Sequence, residues 1–222
     1  MEVNLIALST PTAYSECSSA EQLVAYAARV SNPANQNNTA TAGKLVRYLI
    51  KENHWSPLEM VSMTMEIKTT RDISRQILRH RSFSFQEFSQ RYAESEDFIY
   101  DRECRFQDSK NRQNSNALED VREQKGYQET WNMIQKGLLD KAVHAYTTAL
   151  NMGIAKEQAR ALLPEGLTGT TLYMSGTLRS WIHYCELRMA NGTQKEHMDI
   201  AKRCWSVIGT HFPDVTKAVE EL

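Results

Sequence analysis

The alternation of apolar and polar positions is clearest from Val61 to Lys68, where Val61, Met63, Met65 and Ile67 interleave with Ser62, Thr64, Glu66 and Lys68. A period of two with one apolar face predicts a half-buried strand. The aliphatic run Val3 to Leu8 predicts a second strand and Leu172 to Ser175 a third. Elsewhere the period lengthens to that of a helix. Ala20, Leu23, Val24, Ala27 and Ala28 follow a Ser18-to-Glu21 capping box and stop before Asn32-Pro33. Leu45, Val46, Leu49 and Ile50 mark a helix from about Ala42 to Lys51. Ser56 suits a cap with Pro57 at the first helical position. Thr69-Thr70-Arg71-Asp72 opens a helix that buries Ile73, Ile77 and Leu78.

Further along, Tyr127 to Met152 predicts a long helix with Trp131, Ile134, Leu138, Ala142, Ala145 and Ala149 on its inner stripe and Gly153 as its stop. A shorter helix follows, from Ile154 to Leu163, ended by Pro164. Gly176 breaks the chain before a helix that begins near Thr177 and buries Leu178, Trp181, Ile182, Cys185 and Met189. Thr193 to Glu196 reads as another capping box, ahead of Met198, Ala201, Trp205 and Ile208, and Val215 to Leu222 closes the chain. From Glu94 to Gly126 periodicity is lost, and a long loop with basic punctuation is expected, covering a substrate or ordered at a subunit contact. The expectation is an α+β fold, helix-rich, with a small central sheet.

At 222 residues the chain suits one domain, 1–222, large enough to bury its core without disulfides. A net charge of −1 argues against a general nucleic-acid binder. Cys17, Cys104, Cys185 and Cys204 are far apart with no CxxC pair, which fits reduced thiols in a cytoplasm better than zinc or disulfides. No signal peptide and no apolar run of about 18 residues is present, so a cytoplasmic protein is expected.

Charge is concentrated in one place. Arg71, Arg75 and Arg79 are spaced i, i+4, i+8, a like-charge row that weakens an isolated helix by roughly 0.2–0.5 kcal/mol per pair. With Arg81 and Arg91 they read as a grip for a polyanion, since the guanidinium fork matches phosphate. The competing reading is a solvated basic face paired with Glu66, Asp72 and Glu87.

Arg79-His80-Arg81, seven residues, Ser89, then Arg91-Tyr92 resembles the signature of the flavin-dependent thymidylate synthases. The resemblance extends to His54-Trp55-Ser56-Pro57-Leu58-Glu59, Ala159-Arg160-Ala161-Leu162-Leu163-Pro164, and Leu178 to His183 running on to Glu186-Leu187-Arg188, in the family's order. It implies that Gln76, Ile77, Leu78 and Arg79, the stretch Glu87, Phe88, Ser89, Gln90 and Arg91, and Arg160 bind dUMP, with Arg91 and Arg160 on the phosphate. It also implies that His54, Ser56, Arg79, His80, Arg81, Glu87, Thr177, Leu178, Arg179 and His183 line an FAD site. Thr177 and His183 stand where some relatives have asparagine. Arg188 falls at the family's catalytic arginine, which acts on the pyrimidine. NADPH as reductant, 5,10-methylenetetrahydrofolate as carbon donor and a homotetramer with sites between subunits are implied as well.

The residues agree with such chemistry. Making C5 of uracil nucleophilic requires either an activated thiol, or a preorganised cation at the ring with hydride supplied from elsewhere. None of the cysteines sits in an activating motif; Cys104, beside Arg105, is the only one with an obvious cation. With no glycine-rich βαβ fingerprint, any FAD is held by arginine and side-chain contacts. Two other classes remain open from sequence. Arginines interleaved with Phe83, Phe85, Phe88 and Tyr92 could stack RNA bases, and histidines with acids could serve a metal-dependent phosphohydrolase.

Overall fold

The computed structural model describes residues 1–117 and 121–222. In chain order its elements are β1 (Glu2–Leu8), α1 (Ala20–Ala28), α2 (Ala42–Lys51), β2 (Ser62–Thr70), α3 (Arg71–Ile77), β3 (Ser84–Glu87), β4 (Phe106–Gln107) and β5 (Ser115–Asn116). They continue with α4 (Val121–Asn151), α5 (Lys156–Ala159), β6 (Gly169–Thr177), α6 (Leu178–Met189), α7 (Lys195–His211) and α8 (Pro213–Glu220). Four strands form one antiparallel sheet in the order β1-β2-β6-β3, and β4 pairs with β5 as a separate hairpin. The α+β expectation holds.

Alternation along β2 sends Met63, Met65 and Ile67 into the core, where α1, α2, α6, α7 and α8 cover that face of the sheet. Trp181 of α6 is fully buried and donates its indole N–H to Met63 O at 3.0 Å, which fixes α6 against β2. β3 is an edge strand, with Ser84 opposite Ser175 and Glu87 opposite Leu172. The 79–92 signature therefore runs along the rim of the sheet.

Several expectations shift. The first helix is capped by Ser19, which accepts from Gln22 N, while Gln22 Oε1 returns to Ser18 N. Glu21 is freed from capping and instead receives Asp214 N (2.9 Å) and Val215 N (3.1 Å) at the start of α8; burial raises its pKa to about 7. Ser56 lies within a 3-10 turn, Ser56–Met60, and caps nothing. Gly176 sits within β6, not at a break; a Cβ there would collide with the Phe83 ring, so the missing side chain is a seat for that ring. α7 starts at Lys195 with no side-chain cap, because Glu196 turns to Arg105, and its inner face is His197, Ile200, Ala201, Cys204 and Ile208. The expected 154–163 helix is α5 followed by a 3-10 turn, Arg160–Leu162.

The largest departure is α4. It starts before Tyr127, and its buried positions are Gln135, Leu139, Tyr146 and Ala149. Trp131, Ile134 and Leu138 are 38%, 57% and 55% exposed. The helix is apolar on more than one side, and this chain covers only one of them. The 94–126 stretch is not wholly a loop, since it contains the β4–β5 hairpin and a Phe98–Thr168 bridge; its Leu118–Asp120 part lies outside the described residues.

Candidate active site

The arginine row divides. α3 ends at Ile77, so Arg79 leaves the helical face that Arg71 and Arg75 share. Arg71 is buried, 3.8 Å from Glu87 and within reach of Phe88 O; Arg75 lies 3.9 Å from Glu87 and 3.1 Å from Glu165. Glu87 also accepts from Ser74 Oγ (2.8 Å) and Thr170 Oγ1 (3.0 Å), so it is an internal anchor for α3 and β3. The paired-face reading thus describes Arg71 and Arg75. Asp72 serves Arg102 instead, and Glu66 accepts from Asn4. Arg79 and Arg81 are exposed and form no ion pair among the described residues.

At the start of β3, Ser180 Oγ donates to Ser82 O (3.4 Å) and Thr177 caps α6 by accepting from Ser180 N. The nearby flavin-set residues cluster here: Arg179 pairs with Glu59, His183 packs edge-on against Trp55 at 4.6 Å, and His54 lies 6.2 Å from the Tyr48 ring. Ser56 is exposed beside them. At the other end of the strand, about 13 Å away for four extended residues, Phe88 N donates to Thr171 O. There Arg91 approaches Glu157 Oε2 (3.7 Å) and Arg160 donates to Glu157 O (3.3 Å), so two arginines from distant parts of the chain converge on one residue. Ser89 Oγ accepts from Arg91 N at 3.4 Å. Ile77 and Leu178 are fully buried, which leaves only their backbones for any ligand; Gln90 is buried and donates Nε2–H to Ser95 Oγ, and Leu78 is half-buried at the end of α3.

Arg188, in the last turn of α6, meets the loop that precedes β3. Its Nε–H donates to His80 Nε2 at 2.9 Å, and it has no carboxylate partner among the described residues. His80 must be neutral to accept. Burial, and then the Arg188 charge, lower its pKa to about 4. Behind His80, His197 is fully buried, with Nδ1 3.3 Å from Gln76 Oε1 and Nε2 3.1 Å from Tyr184 OH. Burial first, then Arg188 and His80, bring its pKa to about 3. Gln76 Nε2 donates to Gln194 Oε1 at 2.7 Å. Sequence reading missed Tyr184, Gln194, Glu196 and His197. The one signal available was a histidine at a core-facing position of an amphipathic helix.

The thiols take no part in this cluster. Cys185 and Cys204 are buried, which pushes both pKa values well up, and Arg105 beside Cys104 is committed to Glu103 and Glu196. Phe83 and Phe85 pack against the core, which removes two of the four rings a base-stacking surface would use. Clefts of about 480 Å³ (between β1, β2 and α7) and about 380 Å³ (beside α4) are lined by none of the expected dUMP or flavin residues. Among the described residues no cluster of histidine, cysteine and acid could hold a metal ion, and no helix is long and apolar enough to cross a membrane.

An α+β scaffold that sets Arg79 and Arg81 before one end of an edge strand and Arg91 past the other, with a further arginine held by a neutral histidine, carries donors whose geometry matches phosphate. Comparison with known proteins is more specific. Residues 13–214 match the family model described as thymidylate synthase complementing protein. The chain is 50% identical over 220 residues to a probable flavin-dependent thymidylate synthase of Paramecium bursaria Chlorella virus 1, covering 99% of each. It is 48% identical over 223 residues to the flavin-dependent thymidylate synthase of Synechocystis sp., covering 99% of this chain and 100% of that one. Among solved structures it resembles a UMP/dUMP methylase, PolB from Streptomyces cacaoi bound with 5-Br dUMP, with a TM-score of 0.81 and 25% identity over 100% of this chain and 95% of that one. The chain belongs to the flavin-dependent thymidylate synthase family.

Proposed function

We propose that residues 1–222 act as one domain that converts dUMP to dTMP by reductive methylation, with Arg188 supplying the cation at the uracil ring. 5,10-Methylenetetrahydrofolate gives the carbon, and FAD reduced by NADPH supplies hydride. The observation that carries this reading is the Arg188–His80 pair: a guanidinium without a carboxylate partner among the described residues, oriented by a neutral acceptor. Such a cation keeps its full field for charge that develops on a substrate. With Cys185 and Cys204 sealed in the core and held as thiols, the chain offers no evident sulfur nucleophile from that pair, and the ring is activated without a covalent bond to the protein.

Arg91 and Arg160 hold the dUMP phosphate in this reading; Arg91 lies near the Glu157 carboxylate and Arg160 donates to the Glu157 backbone carbonyl until the phosphate arrives. The stretch 76–79, residues 87–90 and Arg188 hold the rest of the nucleotide. The flavin set fits a diphosphate-bearing cofactor by its donors. Arg79 and Arg81 are exposed and form no ion pair among the described residues, and Ser82, next to Arg81, meets Ser180 in the first turn of α6, where backbone N–H groups favour an anion. His54, Ser56, His80, Glu87, Thr177, Leu178, Arg179 and His183 complete that set, Leu178 through its backbone and Glu87 by anchoring.

The expected grips lie on open surface, and α4 presents Trp131, Ile134 and Leu138 outward. Both observations support a homotetramer in which neighbouring copies close the site. A reducing, cytoplasmic compartment agrees with the free cysteines. The test is direct. The purified protein should be yellow, should bleach when NADPH is added, and should form dTMP from dUMP and methylenetetrahydrofolate. A colourless protein that FAD cannot reconstitute would overturn the reading.

A further inference from the structure

The polar cluster behind Arg188, buried at His197 and Tyr184 and half-buried at Gln76, Gln194 and Glu196, has a property that none of its members has alone: every hydrogen bond in it has one permitted direction. The starting point is Glu196. Arg105 Nη2 donates to both its oxygens at 2.7 and 2.8 Å, and Arg102 lies 3.5 Å away. Burial opposes ionisation of Glu196, but its hydrogen bonds and the two arginines outweigh it and hold the carboxyl below its ordinary value. An ionised carboxylate only accepts. The Gln194 atom 3.0 Å from Glu196 Oε2 is therefore Nε2, which leaves Gln194 Oε1 facing Gln76 at 2.7 Å. Gln76 must answer with Nε2, and so turns Oε1 toward His197 Nδ1 at 3.3 Å. That nitrogen must carry the ring proton. His197 Nε2 is then bare and accepts from Tyr184 O–H at 3.1 Å. Reversing any link would set two donors or two acceptors face to face in a site that is closed at His197 and partly buried at Gln76, Gln194 and Glu196, a loss that an unsatisfied polar group makes expensive.

We propose that the series Glu196, Gln194, Gln76, His197, Tyr184 is a one-way relay that fixes which way the Gln76 amide faces, and thereby makes this site accept uracil and reject cytosine nucleotides. The proposal rests on the reading above in one respect, that Gln76 faces the nucleotide base. An amide has two N–H groups and two lone pairs; the relay uses one of each and leaves one of each for a ligand. Uracil presents a C4 oxygen acceptor beside an N3–H donor, whereas cytosine presents a C4 amino donor beside a bare N3 acceptor. The two edges are opposites. An amide free to turn over serves either, whereas an amide held in one orientation serves one and opposes the other. His197, Gln194 and Glu196 are thus positioning residues, acting through Gln76. Arg102 and Arg105, from the stretch whose sequence suggested only a loop, set the polarity of the whole series.

Calorimetric titration of the flavin-loaded protein with dUMP and with dCMP tests this, with melting temperature recorded for each variant. The substitution Glu196→Gln permits reversal, because glutamine donates as well as accepts, and His197→Leu removes the donor to Gln76 while keeping the site filled. Each should narrow the dUMP-over-dCMP preference by about tenfold or more, the scale of one edge hydrogen-bond pair. His197→Asn, whose amide N–H can stand in for Nδ1–H, should restore most of that preference relative to His197→Leu. A purely structural role predicts instead that both nucleotides weaken together, in step with melting temperature. Nitrogen-15 spectra of the unsubstituted protein give an independent check: His197 should be the neutral Nδ1–H tautomer. An Nε2–H tautomer, or an unchanged preference in Glu196→Gln and His197→Leu while Gln76→Ala still weakens dUMP, would overturn the relay and leave the thymidylate synthase reading standing. Unchanged dUMP binding in Gln76→Ala would instead remove Gln76 from the nucleotide site, and the relay with it.

Discussion

Arg188 and His80 meet at 2.9 Å with the arginine as donor, so the histidine holds the charge in place without cancelling it. A carboxylate in that position would fix the guanidinium equally well but would spend its field on a permanent ion pair. The relationship joins α6 to the loop that follows α3, which is how a residue at 188 comes to act beside one at 80.

Replacing Arg188 with alanine should lower kcat by about 10²–10³-fold, the loss seen when one preorganised charge donor is removed. The yellow colour should persist, since Arg188 is not among the expected flavin contacts. Steady-state kinetics with an absorbance spectrum checks both halves, and intact turnover would remove Arg188 from the chemistry.

Arg91→Ala and Arg160→Ala should each weaken dUMP binding by about 10–100-fold, as expected for the loss of a charge-assisted hydrogen bond. Arg81→Ala should act chiefly on FAD retention, and Arg79→Ala, which stands in both expected sets, should weaken both ligands. Paired titrations with dUMP and FAD on all four variants separate the two ends of β3; equal loss of both ligands in every variant would contradict the division.

On α4, Leu138→Glu or Ile134→Glu places a charge where the isolated chain leaves an apolar side chain over half exposed. Light scattering should show dissociation of the assembly, with loss of turnover and little change in the melting of the separated chains. If the variants stay associated and active, this face of α4 is not what joins the copies.

The half-buried His80 and the buried His197 predict a sign for acid sensitivity. Their native pKa values, about 4 for His80 and about 3 for His197, lie below the unfolded value of about 6.5. Below that value the unfolded chain takes up protons that the native chain refuses. Their contribution to stability is therefore complete above about pH 6.5 and is lost progressively as pH falls through the native values. Denaturant melts from pH 7 to pH 4 should show the loss, and His197→Leu should show less of it.

How much of this was legible beforehand differs by kind of feature. β2 could be read from alternation alone, because one face of it is buried and the other is not. The ligand contacts expected at either end of β3 rest on motif resemblance, not on alternation or spacing. The 71–75–79 row misled in part: a helical spacing says nothing about where the helix stops, and α3 stops at Ile77. Trp131, Ile134 and Leu138 were misread as the inner stripe, because a helical period cannot say which of two apolar sides its own chain covers. His197, Tyr184 and Gln194 were invisible for a different reason. Their significance lies in mutual hydrogen-bond direction, which exists only once α3, α6 and α7 are packed together.

The empty space at Gly176 has a last implication. Phe83 occupies it from across the β3–β6 pair, so the signature loop is keyed into its neighbour like a peg in a mortise. Even one added methyl there would prise the peg out, and the rim of the sheet would lose its alignment although every arginine on it remained intact.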